Sequence, residues 1–128
     1  MKRLITTTLL SLVCFAANAE WKLLGSVPDK GMRAYVEDTS VRVSGDIAKV
    51  WMMYSFETPQ EKLQFQSLKA HYSLNCKEDE SNYTNELTFR SPDGTGSLLG
   101  SKHFPNEQWE PIVPNSFVAI VKKWACSK

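Results

Sequence analysis

Ile47-Ala48-Lys49-Val50-Trp51-Met52-Met53-Tyr54-Ser55-Phe56-Glu57 is the stretch on which the fold class turns. Its even positions, Ala48, Val50, Met52, Tyr54 and Phe56, are all apolar, the period of two that marks a strand with one buried face. The odd positions set Trp51 and Met53 beside Lys49 and Ser55, so the second face is not plainly a solvent face. Phe65 to Lys77 alternates more cleanly, with Leu68, Ala70, Tyr72, Leu74 and Cys76 on one side and Ser67, Lys69, His71, Ser73 and Asn75 on the other. The polar, proline-bearing link Thr58-Pro59-Gln60-Glu61-Lys62 makes these two runs an antiparallel hairpin. A third alternation places Tyr83, Leu87 and Phe89 against Thr84, Glu86, Thr88 and Arg90, and the turn Ser91-Pro92-Asp93-Gly94 closes it.

Working outward, Trp21 to Leu24, Met32 to Glu37 and Val41 to Val43 read as shorter strands separated by Pro28-Asp29-Lys30-Gly31 and Ser44-Gly45-Asp46. Ser97 to Phe104 is a weaker strand, loosened by Gly96 and Gly100. The period then changes. Phe117, Ile120, Val121 and Trp124 fall at i, i+3, i+4 and i+7, an apolar stripe on a helix with Ser116 as N-cap and Lys122 and Lys123 off the stripe. Cys126 would lie nearly opposite Phe117 in a continuous helix, so the helix is expected to end near Trp124 or Ala125. The expected fold is α+β and mainly β: one antiparallel sheet of about five to six strands with a C-terminal helix packed on it.

The chain opens Met1-Lys2-Arg3, continues apolar from Leu4 to Ala17, and presents Ala17-Asn18-Ala19 before Glu20. A basic start, a short apolar core and a small-x-small site read as a cleavable secretory signal over residues 1–19, leaving one domain over residues 20–128. The apolar stretch is short of the roughly 20 residues that span a bilayer, and the mature chain has no transmembrane segment. Cys14 is not preceded by the small residue that lipoprotein processing wants; Val13 stands there. Cleavage removes Lys2 and Arg3 and leaves thirteen basic residues against fourteen acidic ones, which excludes the basic excess of a nucleic-acid binder. In an oxidising compartment the remaining pair, Cys76 and Cys126, reads as a disulfide. A metal site or reactive thiol is the competing reading, but no CxxC and no histidine at ligand spacing supports it.

Several of these residues form an ordered set. It comprises Trp21, Tyr35-Val36-Glu37, Ser40-Val41-Arg42, Val50-Trp51 with Tyr54, Ser67 and Lys69 leading to Cys76, Gly94 and Gly96, and Trp109-Glu110-Pro111-Ile112-Val113-Pro114 running to Ser116 and Cys126. The set resembles the surface-adhesin E family of small exported bacterial proteins over nearly the whole mature chain. Glu37 stands where an aspartate is usual, and Asn115 where a glycine is usual, a mild change because asparagine tolerates positive φ. The resemblance implies an antiparallel sheet carrying the C-terminal helix, and an exported protein of the periplasm or cell surface whose name-giving member adheres to host extracellular-matrix proteins.

Candidate chemistry is thin. His71 lies on the polar face of its strand and His103 at a strand end; Glu78-Asp79-Glu80 lacks the spaced oxygen ligands of a calcium loop, and Asp93-Gly94-Thr95-Gly96 is a turn. No enzyme, metal or cofactor is expected. The surplus is aromatic: Trp51 with Met53 on the second face of a central strand, and Trp109 in a proline-rich segment, form the candidate binding surface. The expected function is a non-enzymatic envelope or cell-surface binding protein, adhesin-like, with a host or envelope protein as partner. The alternative is a soluble periplasmic module for a small lipid- or porphyrin-type ligand. The sequence leaves the oligomeric state open.

Overall fold

The computed structural model describes residues 20–60 and 64–128. The expected signal segment, Cys14 included, and Glu61 and Lys62 of the link between the two longest strands lie outside the described residues.

Eight strands form one antiparallel sheet: β1 (Trp21–Val27), β2 (Met32–Glu37), β3 (Arg42–Ser44), β4 (Ile47–Gln60), β5 (Phe65–Asn75), β6 (Glu80–Phe89), β7 (Leu98–His103) and β8 (Glu110–Pro111). Six of them run in the order β1-β2-β4-β5-β6-β7. The short β3 pairs with β4 beyond the end of β2, and the short β8 pairs with β6 beyond the end of β7. One helix, α1 (Phe117–Cys126), follows. The two longest alternating runs become β4 and β5 at the centre of the sheet, each bonded along both edges. Their register is unbroken from Ile47 opposite Asn75 to Ser55 opposite Ser67.

The expected even face of β4 is the helix face. Ala48, Val50 and Met52 share it with Val36 of β2, Leu74 of β5, and Val121 and Ala125 of α1. Burying a residue of this size contributes about 1.5–3 kcal/mol, so the cluster is the main source of stability. The Ser116 hydroxyl caps the helix by accepting from the Ala119 amide at 3.2 Å, and Asn115 before it has φ +62°.

Two expectations are corrected here. The helix does not stop at Ala125: Cys126 is its last residue and joins Cys76 with the two Cα atoms 5.7 Å apart. The reason is the rotation of the helix. Its buried line runs through Val121 and Ala125, whereas Ile120, expected on the stripe, is 48% exposed. That rotation turns Cys126 towards Cys76, which follows β5 directly at the margin of the sheet.

The second correction concerns β6. Tyr72 pairs with Tyr83 but His71 with Asn85, so Thr84 is an extra residue, a bulge. A bulge shifts the alternation by one. Tyr83 therefore joins Tyr72 on the helix face, and Leu87 and Phe89, expected beside Tyr83, face the other way opposite Lys69 and Ser67. The bulge side chain is itself engaged: the Thr84 hydroxyl donates to the His71 carbonyl at 3.1 Å.

The acidic turn after β5 is structural. Asp79 pairs with Lys122 of the helix at 2.9 Å and its carbonyl accepts from the Ile112 amide. Asp38 accepts from both Lys22 (2.6 Å) and Lys128 (2.9 Å), drawing the first strand and the last residue to one carboxylate.

Replacing Cys76 and Cys126 together with alanine is expected to lower the unfolding free energy by about 3–4 kcal/mol, because the bridge closes a long loop. Urea titration of the oxidised chain and the double variant checks it. At Gly94 (φ +70°) an added Cβ would lie 2.7 Å from Lys69 Cε, so Gly94→Ala should cost about 1–3 kcal/mol. Gly45→Ala, also at positive φ but with open space around it, should cost only the backbone part, about 1 kcal/mol.

Candidate functional site

The face of the sheet opposite the helix is roofed over one half by a turn, and over the other half the segment after β7 stands above a cleft. Over the roofed half the Pro92–Gly94 turn lies on β4 and β5. Its Asp93 amide donates to the Ser55 hydroxyl at 3.0 Å, the Gly94 amide donates to the Ser67 hydroxyl at 2.8 Å, and Ser67 in turn donates to the Ser91 carbonyl at 2.6 Å. Ser55 and Ser67 are buried because the turn supplies their partners. Beside them the Lys69 ammonium sits between the rings of Trp21 and Phe89, 5.3 and 5.0 Å from their centroids.

Met53 lies under this roof and is 2% exposed, so it offers no contact surface. Trp51 and Trp109, the other two candidate residues, are half-buried and belong to the cleft half. The Trp51 ring packs on His71 with centroids 4.9 Å apart. Trp109, in the segment after β7, lines a cleft of about 760 Å³ over the next level of the sheet.

The floor of that cleft follows from register alone. Arg42 of β3 is opposite Lys49 of β4, Lys49 is opposite Ser73 of β5, and Ser73 is opposite Asn82 of β6. All four line the cleft, and His103 and Glu107 stand on its far wall. Alternation along β4 and β5 places Lys49 and Ser73 on this face. Arg42, Asn82 and His103 could not have been added from sequence, because their places depend on strand pairing and on the Thr84 bulge.

His71 is fixed from two sides. Thr84 spends its one hydroxyl proton on the His71 carbonyl, so in the 2.6 Å contact between His71 Nδ1 and Thr84 Oγ1 the ring is the donor. Burial lowers the His71 pKa, and the charge of nearby Lys49 lowers it further. Glu37, at the rim of the sheet, is also buried. Burial alone would raise its pKa, but hydrogen bonds from Ser40, from the Thr39 hydroxyl and amide, and from the Glu20 backbone outweigh that and hold it low.

A second hollow, of about 490 Å³, opens on the helix side between β6, the 104–113 segment and the start of α1. Tyr72, Tyr83, Phe104, Ile112 and Val118 line it. Tyr72 and Tyr83 meet edge to face at 5.1 Å, and the tilted rings of Tyr83 and Phe104 have centroids 5.4 Å apart. Burial pushes the Tyr72 and Tyr83 hydroxyls well above the ordinary tyrosine range, so both stay neutral donors. Among the described residues no group of three or more His, Cys, Asp or Glu side chains comes together as a metal site.

A single disulfide-stapled open sheet, with a helix on one face and a polar aromatic cleft on the other, defines the class: a small α+β protein of mainly β structure. Within that class the family is set by the match of residues 21–127 to the model of surface-adhesin protein E, and the chain belongs to that family. The fold is that of Haemophilus influenzae protein E. Its crystal form II is 14% identical and superposes with a TM-score of 0.57 over 73% of this chain and 80% of that one. Its selenomethionine form is 13% identical, with a TM-score of 0.57 over 83% of this chain and 86% of that one. Protein E from a non-typeable Haemophilus influenzae is 12% identical, with a TM-score of 0.56 over 88% and 80%. No curated protein is significantly similar to the chain.

The lowered pKa of His71 fixes a pH effect. An unfolded histidine titrates near 6.5, and the folded value lies below it. The unfolded chain therefore takes up the proton first, so this contribution is complete above about pH 6.5 and is lost as pH falls through the folded value. The thermal midpoint should drop between about pH 7 and 5, and His71→Gln should flatten that part of the curve. An unchanged slope in the variant would show that the stability change comes from other groups.

Proposed function

We propose that this chain is an exported, non-enzymatic binding protein of the envelope or cell surface. It acts as an adhesin, recognising another macromolecule through the cleft half of the sheet's second face. The observation that carries this reading is the placing of Trp51, packed on His71, and Trp109 beside a cleft, on a face whose other half is closed by its own turn. A sheet face roofed only in part leaves half-buried aromatics available at the surface, the anchors that dominate protein contacts. Family membership supports the same reading, as does the basic-apolar leader read at residues 1–19. The partner is a host or envelope protein.

The mature chain, residues 20–128, is expected to bind at least one host matrix protein or a component of the organism's envelope extract at micromolar concentration. Replacing Trp51 and Trp109 together with alanine should weaken that binding about tenfold or more while leaving the far-ultraviolet dichroism unchanged. Empty binding curves against both sets would sink the reading.

A second reading rests on the helix-side hollow. Its aromatic lining and neutral tyrosine hydroxyls suit a small apolar ligand of lipid or porphyrin type. Native mass spectrometry and thermal shift with a lipid and porphyrin panel decide it: a co-purifying mass or a raised midpoint supports the reading, and neither one disposes of it.

A further inference from the structure

We infer that the cleft on the second face binds an acidic saccharide, a sugar chain carrying sulfate or carboxylate groups. The inference rests on the proposal above that this face is the contact surface, and it goes beyond the protein partner named there to a saccharide.

The starting observation is a cross-strand pair of like charges. Arg42 and Lys49 are directly opposite across β3 and β4, on the same face, and both line the cleft. Like charges at directly opposed positions destabilise a sheet. Neither cation has a carboxylate partner among the described residues; the ion pairs there are Lys22 and Lys128 with Asp38, Arg33 with Asp93, and Lys122 with Asp79. Arg42 is nevertheless held in place, because its Nη1 donates to the Thr39 carbonyl at 3.2 Å and to the Val41 carbonyl at 3.0 Å. The rest of its planar fork is left for an anion, and a fork held in advance suits a planar carboxylate or a sulfate.

The row continues with groups of a different kind. Ser73 is 6% exposed and Asn82 is 5% exposed, yet both line the cleft. The Asn82 carbonyl oxygen accepts from the Gln108 amide at 3.3 Å. Among the described residues no buried side-chain nitrogen or oxygen lacks a hydrogen-bond partner, so any free valence of Ser73 or Asn82 reaches solvent. Both residues line the cleft, and Asn82 also lines the helix-side hollow. Four strands at ordinary spacing make this row about 14 Å long, enough for more than one sugar ring.

Trp109 completes the set. A pyranose ring has an apolar C–H face that stacks on an aromatic ring and a rim of hydroxyls that needs donors and acceptors. Acidic sugars add anionic groups at intervals. Two cations at one end, a hydroxyl and a carboxamide along the floor and an indole on the wall match those three demands together, and the one carboxylate of the lining, Glu107, belongs to the segment after β7 rather than to the row that carries the cations. An acidic peptide would use the cations but has no rigid face for the indole and leaves the polar floor unmatched.

The test uses the oxidised mature chain, with dextran sulfate and polygalacturonate as the sulfated and carboxylated probes, neutral dextran as the uncharged sugar, and polyglutamate as the acidic peptide. Isothermal titration is expected to show binding to one or both acidic sugars, weakening as salt rises, with little to dextran or polyglutamate. The variant pair Arg42→Ser with Lys49→Ser should weaken it roughly tenfold or more, and Trp109→Ala should do so without changing the salt dependence. The two serine substitutions should leave the thermal midpoint of the free protein unchanged or raised, since a like-charge pair is removed; a loss of binding without a loss of folding is thus readable. Equal affinity for polyglutamate, insensitive to Trp109→Ala, would overturn the saccharide and leave a site for acidic peptides. Binding to a matrix or envelope protein with no binding to either acidic sugar would overturn this inference and leave the function proposed above standing. Retained sugar binding in the Arg42 and Lys49 variant would place the sugar elsewhere and overturn the assignment to this cleft.

Discussion

A helix of ten residues is about 15 Å long and 10 Å wide, and a sheet of six strands at ordinary spacing is about 24 Å across. One such helix cannot cover even one face of that sheet, and it leaves the other untouched. Everything beyond the β4–β5 centre is a response to this shortage. Val121 and Ala125 seal the middle of the helix face, Phe117 and Trp124 extend the seal to its flanks, and the aromatic hollow beyond Val118 remains where the helix does not reach.

On the other face the covering element is a turn, and a turn brings amides rather than apolar side chains. That is why the residues beneath it are Ser55 and Ser67. Each buried hydroxyl answers a backbone N–H of the turn, and each amide that would have been stranded over the sheet is satisfied. Met53 and the stem of Lys69 fill the remaining space against Gly94, where a side chain would collide. The turn reaches as far as the Trp51–His71 level, and below it the cross-strand row from Arg42 to Asn82 lines a cleft under the segment after β7, with Ser73 and Asn82 buried in its floor.

The period of two made β4 and β5 legible residue by residue, because a long strand with a buried face has no other way to arrange its apolar side chains. The bridge between Cys76 and Cys126 was legible too, as an even pair in an exported chain. The phase of the helix was not, since Ile120 and Ala125 compete for the buried side and only the position of the sheet decides between them. The β6 faces were misread for a similar reason: one extra residue at Thr84 inverts everything beyond it, and an alternating sequence carries no mark of the bulge. Of the candidate surface, Met53 looked like Trp51 in sequence and differs only in lying under a turn some forty residues further along the chain. Arg42, Lys49 and His103 were invisible as a group because they meet only through pairing.

The carboxylate of Asp38 has a consequence for the chain as a whole. By accepting from Lys22 and from Lys128 it brings the first strand and residue 128 to one corner, with the Asp38 amide also bonded to the Glu20 carbonyl. Order along the chain is therefore separable from order in the sheet. A short linker from residue 128 to residue 20, with the chain reopened at the exposed Gly45 turn, would keep every strand beside its present neighbours. It would turn the β3–β4 hairpin into the new pair of ends, a circular permutant of the same architecture.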